Sequence, residues 1–203
     1  MLQRIDTSTL REKRLAVAVA FGSTDVIESL PIRLPGRYRT QIEIAASLLS
    51  ASDAVRFACD CAERVLERWE NLFPSDQRPR NALEAVRSWL NGVGTAQSLK
   101  AAGRSASDAG TEHGDTSTLP DDHPELTAAH YAADAASHAA LAAHDATWSH
   151  QLRPPIPNMV FGAVGHSARF ATHAAKNEQA EMQWQKARLA ELLLESENKA
   201  EHS

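Results

Sequence analysis

Aromatic side chains are scarce in this chain. They make up 5% of its 203 residues, whereas apolar residues as a whole reach 43%. That apolar share is large enough for a buried core, and the length suits one domain spanning residues 1–203. Because alanine is abundant, we expect helices that pack closely through small side chains rather than around bulky rings.

Three further absences exclude classes of protein. No apolar run reaches the length of a membrane span, and the charged N-terminus lacks the adjacent hydrophobic region of a signal peptide. The net charge of -5 is unlike that of a protein with a dominant nucleic-acid surface. We therefore predict a soluble cytoplasmic protein without a membrane or nucleic-acid partner.

Cysteine and recognisable catalytic motifs are also sparse. The two cysteines, Cys59 and Cys61, are two residues apart on a predicted helix and point in different directions, so they cannot easily bridge each other. Cys61 falls on the apolar face and is predicted to be a small core residue. No phosphate-binding loop, nucleophile elbow or dinucleotide glycine motif is present. We therefore predict no catalytic residues, expect no cofactor, and do not favour an enzyme.

The strongest positive signal is helical periodicity between Ser52 and Gly92. Ser52 or Asp53 is the predicted N-cap of a first helix, which Pro74 ends. A second helix begins at Ser75 or Asp76, and Gly92 suits its C-terminal cap. The short connection predicts an antiparallel helical hairpin. The first helix has one apolar face, formed by Ala54, Phe57, Ala58, Cys61, Ala62, Val65, Leu66 and Trp69.

The rest of the chain also reads as helical, which predicts an all-α fold: a multi-helix bundle or an array of antiparallel hairpins. Gly162 and Gly165 are predicted to allow close helix approach. Before the hairpin, the predicted segments are a helix over 8–22 (with a short strand through LAVAVAF as the alternative), a loop with a basic cluster over 23–39, and a helix over 40–49. After it come a short helix around Leu99 and a flexible linker over 108–124. The last predicted segments are a long helix over 124–152, helices over 158–176 and 177–195, and a frayed end over 197–203.

Histidines on the alanine-rich helix suggest a metal site. His130, Asp134 and His138 are four residues apart and share one stripe, while His166 and His173 share a face of the next helix. If the two faces met, they would offer nitrogen and carboxylate ligands for a divalent metal, zinc or iron. The alternative is a structural role, in which the histidines donate to backbone or carboxylate groups.

The hairpin sequence DCAERVLERWENLFPSDQRPRNALEAVRSWLNG contains distinctive sequence features. They are the CAERVL run, a turn with proline and aspartate, RPR, and an ALEAVRSWL helix closed by glycine. In this stretch, residues 59–92, the chain resembles the immunity proteins of bacterial polymorphic-toxin systems. The resemblance implies an all-helical fold and a role in blocking a cognate toxin by binding it, and it does not imply catalytic residues. The acidic net charge would suit a basic toxin face.

Two other functions stay open. One is a helical binding protein or enzyme that binds a metal or small molecule through the histidine-rich helices. The other is a structural protein whose main property is self-association, for example as a homodimer.

Overall fold

The computed structural model describes residues 41–113, 123–149 and 157–201, and their regular secondary structure is entirely α-helical. The predicted all-α fold is confirmed. The predicted helix over 8–22 and basic loop over 23–39 lie outside these residues. The helices are α1 (Gln41–Ala46), α2 (Ala51–Val65), α3 (Glu67–Leu72), α4 (Arg78–Leu90), α5 (Ala96–His113), α6 (Pro124–Ser149), α7 (Pro157–Ala174) and α8 (Glu178–Glu201).

The first helix of the predicted hairpin begins earlier than expected and is interrupted. Its N-cap is Ser50 rather than Ser52 or Asp53, because the Ser50 side chain accepts a hydrogen bond from the Asp53 backbone N–H. The helix then breaks at Leu66, whose N–H bonds to the carbonyl of Glu63 three residues back instead of four. The predicted single helix is therefore the pair α2 and α3.

The turn of the hairpin is organised by Trp69 and Asp76. Trp69 is 1% exposed, as predicted for a core residue, and its indole N–H donates to the Asp76 carbonyl at 2.8 Å. The Asp76 carboxylate accepts the backbone and guanidinium N–H groups of Arg78, where α4 begins. At the other end of α4, Gly92 has a φ of 79°, so the predicted glycine cap is confirmed.

Helix α5 runs to His113, although a linker was predicted from Asp108. The last turn is held because the His113 ring stacks on Phe73 with 4.0 Å between centroids, and its Nε2 lies 3.3 Å from Asp76. Ala109 and Gly110 are buried in the same turn. This turn packs through small residues instead of large apolar side chains. The apolar periodicity that predicts a helix from a sequence is therefore missing here.

Close helix approach occurs at Gly103 and Gly110, two glycines for which the sequence analysis did not predict it. A Cβ placed on Gly103 would lie 3.3 Å from both the Ala140 Cβ and the Ser137 carbonyl oxygen, and one on Gly110 would lie 3.4 Å from the His130 ring. A Cβ on Gly162 would meet nothing within 4 Å, so the predicted close approach at Gly162 is wrong. The tight contact lies between α5 and α6, which run antiparallel.

The centre of the fold is α6, which contacts α2, α3, α4, α5 and α7. Its alanines point to nearly every side and are buried, as the alanine-rich composition predicted. They are Ala128, Ala129, Ala132, Ala133, Ala135, Ala136, Ala139, Ala140, Ala142, Ala143 and Ala146. A helix of such small diameter lets several neighbours pack against it at once.

Two polar side chains are buried between helices. The Ser167 hydroxyl of α7 lies 3.1 Å from the Ala58 carbonyl of α2 and 2.9 Å from the Ala135 carbonyl of α6. The Gln185 amide of α8 donates to the Ala168 carbonyl of α7 at 2.9 Å. Each contact gives a buried donor a partner and links neighbouring helices at a defined register, although Gln185 Oε1 has no partner among the described residues.

The C-terminal segments differ from the prediction in their boundaries. Helix α7 begins at Pro157, one residue before the predicted start, and ends at Ala174, two residues before the predicted end. Helices α7 and α8 are separate, and the Asn177 side chain accepts the Ala180 N–H where α8 starts. Helix α8 continues to Glu201, through most of the segment predicted to be frayed.

Candidate functional site

The five residues of the predicted metal site lie on α6 and α7, but they form two pairs and one separate residue. His130 Nε2 is 3.5 Å from an Asp134 oxygen, one turn along α6. The rings of His138 and His166 face each other across α6 and α7, with 5.1 Å between centroids. His173 is separate, with its Nδ1 3.2 Å from Glu178.

The described parts of the chain contain no group of three or more His, Cys, Asp and Glu side chains arranged to hold a metal ion. The chemistry of the donors fits zinc or iron, but structural zinc sites commonly use four protein ligands and catalytic ones three. The zinc or iron site at His130, Asp134, His138, His166 and His173 stays a prediction.

His138 is the most unusual of these residues. Its Nδ1 is buried and has no hydrogen-bond partner in the described residues. Burial, helped by the neighbouring His166, lowers the pKa of His138 to about 4. The ring packs against Phe170 at 5.2 Å, and Phe170 in turn stacks on Tyr131 at 5.8 Å. His138 is therefore neutral at neutral pH and packs as an aromatic ring.

A second constellation, His144, Asp145 and Trp148, lies near the end of α6. In the sequence, a histidine beside an aspartate is too common to indicate acid–base chemistry, and adjacent residues of a helix are not expected to face each other. The Trp148 indole N–H donates to His144 Nε2 at 3.1 Å, and His144 Nδ1 lies 3.1 Å from an Asp145 oxygen. Since Nε2 accepts, Nδ1 carries the proton and donates to the carboxylate. The i, i+4 spacing of His144 and Trp148 is the sequence feature that could have predicted this hydrogen bond. This chain of hydrogen bonds holds Trp148 in place while it is 45% exposed.

Two other apolar side chains are exposed at the same end of the bundle: Val93 at 78% and Met159 at 54%. Val93 lies in the turn before α5, whose start approaches the end of α6 because the two helices are antiparallel. Met159 lies in the first turn of α7, just after the connection from α6. We call Val93, Trp148 and Met159 the apolar end.

The thiols are buried, as predicted for Cys61. Both cysteines are free. Burial raises the pKa of Cys59, and Glu63, which accepts a hydrogen bond from its thiol, raises it further. Burial likewise raises the pKa of Cys61. Both side chains are thus kept as neutral thiols, the form that is a poor nucleophile.

Comparison with known proteins gives one match. Residues 47–192 match the model of the family described as Imm-5 like putative immunity protein. The chain belongs to this family. The match extends beyond the hairpin resemblance and takes in α2 to α7 and most of α8, including the apolar end and the histidines of α6 and α7.

The Imm-5 like family description indicates an immunity role, and with it a toxin as partner. No curated protein and no solved structure matches this family member significantly. Within the described residues, every helix is too short or too polar to cross a membrane.

Proposed function

We propose that this Imm-5 like protein neutralises a cognate bacterial toxin by binding it directly. The observation that carries the proposal is the family match over residues 47–192. Neutralisation by binding requires a preformed surface on the immunity protein that covers a functional part of the toxin. The net charge of -5 favours a toxin with a basic contact face.

The proposed toxin contact is the apolar end. Tryptophan is among the residues that most often dominate binding energy at protein interfaces. Trp148 is exposed, yet its hydrogen bond to His144 restricts its orientation before any partner arrives. Restricting a side chain in advance reduces the entropy lost on binding. Val93 and Met159 would extend the contact around the indole.

The experiment is co-expression of the tagged chain with the toxin encoded beside its gene. We expect the toxin to co-purify and the host cells to grow. Trp148→Ala should weaken the complex by about 30-fold, the loss expected for an interfacial tryptophan worth about 2 kcal/mol. Dissociation constants measured by surface plasmon resonance would provide the comparison.

Leu72→Ala is the matched control. Leu72 is 44% exposed, close to the 45% of Trp148. It lines a pocket with Pro124 at the start of α6, about 36 Å along that helix from Trp148. Affinity should be unchanged in this variant. Failure of the wild-type chain to bind the toxin would contradict the proposed function, whereas wild-type affinity in a folded Trp148→Ala protein would contradict only the choice of surface.

A further inference from the structure

A groove between α1, α7 and α8 lies away from the apolar end. Its volume is about 360 Å³, at the lower end of the range for ligand pockets. Ile42, Gly165, Thr172 and Met182 contribute to its wall, which is mostly apolar. Met182 is 42% exposed there. The groove could therefore shelter an apolar side chain from another molecule.

Two cations at this groove lack the carboxylate partners found elsewhere in the protein. Arg169 reaches it from α7 and Lys186 from α8, and neither forms an ion pair with a described carboxylate. The acidic side chain at the groove, Glu178, contacts His173 instead. By contrast, most arginines of the described helices are paired with Asp or Glu: Arg56, Arg64, Arg68, Arg78, Arg80, Arg87 and Arg188.

We infer that this groove binds an acidic segment of a partner protein that presents one apolar side chain. The apolar side chain would enter the groove, and flanking carboxylates would bind Arg169 and Lys186. The chain's own residues 1–40 do not complement this rim, because they contain more Lys and Arg than Asp and Glu. The inference goes beyond the proposed toxin contact, since it concerns a separate groove between α1, α7 and α8 and the opposite charge.

The test uses the full chain and short fluorescent peptides, with binding followed by anisotropy. The probe peptide carries one leucine flanked by glutamates. One matched peptide replaces the leucine by serine, and another replaces the glutamates by lysines. We expect the probe to bind at least about tenfold more tightly than either matched peptide, because each lacks one of the two complementary features.

The variant that tests the site is Arg169→Glu combined with Lys186→Glu, which should lose at least about tenfold in probe affinity. Lys100→Glu combined with Arg104→Glu is the matched control, because it makes the same charge change on exposed positions of α5. If the charge-reversed groove variant does not fold, Arg169→Gln with Lys186→Gln replaces it.

Three outcomes would overturn the inference. The first is equal affinity of the wild-type chain for all peptides, or no affinity for any. The second is an equal loss of affinity in the α5 control. The third is complete competition by octanoate at the affinity of the peptide, which would make the groove a site for small apolar carboxylates. None of these results depends on the toxin, so the proposed function is tested separately.

Discussion

Two interfaces of this molecule are held together in different ways. Where α5 packs on α6, the contact is made by small residues such as Gly103, Gly110 and Ala140, and where α7 packs on α6 the rings of His138, His166 and Phe170 join the small residues. Where α8 meets α2, charged side chains join the buried leucines: Arg188 binds Asp60 at 2.7 Å, and Arg64 binds Glu181 at 3.0 Å. The first interface depends on shape, and a small change in volume should disturb it. The second should respond to salt.

The environment of Asp60 shows why the charged interface is not the stronger one. Burial raises the pKa of Asp60, even though the Arg188 guanidinium beside it acts in the opposite direction. At Arg188 burial lowers the pKa while the hydrogen bonds to Asp60 and Glu191 raise it, and the result is a raised pKa. The attraction between the two charges is therefore partly offset by the hydration that both groups lose. Ion pairs of this partly exposed kind contribute little to folding free energy, whereas overpacking a tight apolar contact has a larger cost.

The largest effect should come from Gly103→Leu. The new side chain would meet Ala140 and the Ser137 carbonyl, and we expect a loss of about 3 kcal/mol in the free energy of unfolding, measured by urea denaturation. Ala101→Leu, at an exposed position of the same helix, is the control and should be close to neutral. A loss below about 0.5 kcal/mol for Gly103→Leu would show that the α5–α6 interface is loosely packed.

A smaller effect should come from His138, the titratable group inside the apolar interface. Its folded pKa of about 4 is below the ordinary value of 6.5, so the unfolded chain binds the proton more tightly and stability falls as the pH decreases from 6.5 to 4. The loss should be about 2 kcal/mol at pH 5 relative to pH 7. The measurement is the urea midpoint of the wild-type chain and of His138→Leu at both pH values.

The comparison with His138→Leu is needed because other titratable side chains lie near His138. His166 faces His138 from α7, and burial raises the pKa of Asp134, which favours the folded state on acidification. The Asp134 contribution remains in the variant, so the difference between the two proteins reports His138 together with its interaction with His166. An identical pH dependence in both would contradict a depressed His138 pKa.

The smallest effect should come from Arg188→Met, at the charged interface. Although Arg188 contacts Asp60, Glu191 and Glu195, we expect a loss below about 1 kcal/mol. The loss should shrink further in about 1 M salt, where charges are screened over a few ångströms. Urea titrations at low and high salt measure both quantities, with Lys100→Met as the unpaired control. A loss above 2 kcal/mol would reverse the ranking of the two interfaces.

Much of the fold could be predicted because its signals are local. The apolar stripe of α2, the burial of Trp69 and the glycine cap at Gly92 each depend on a few neighbouring residues. The break at Leu66 and the extension of α5 to His113 could not be predicted in this way. The latter depends on Phe73, more than thirty residues earlier, and on a turn of small residues without apolar periodicity.

The candidate sites show the same limit. The spacing of His130, Asp134 and His138 placed them correctly on one stripe of α6. Which side chains face them depends on the register between α6 and α7, and that register pairs His138 with His166 and Phe170 while leaving His173 beside Glu178. The groove at Arg169 and Lys186 joins three helices, and nothing in the sequence indicates that they meet.

The central position of α6 also has a consequence for biosynthesis. Helices α2, α3, α4 and α5 all pack on α6, but the ribosome makes them first. Until Ser149 has left the ribosome, the faces that they turn toward α6 lack this partner helix, because it is not yet complete. The packing of the hairpin formed by α2, α3 and α4 is therefore completed by a segment that begins more than thirty residues after it, so the hairpin cannot reach its final packing while it is being synthesised.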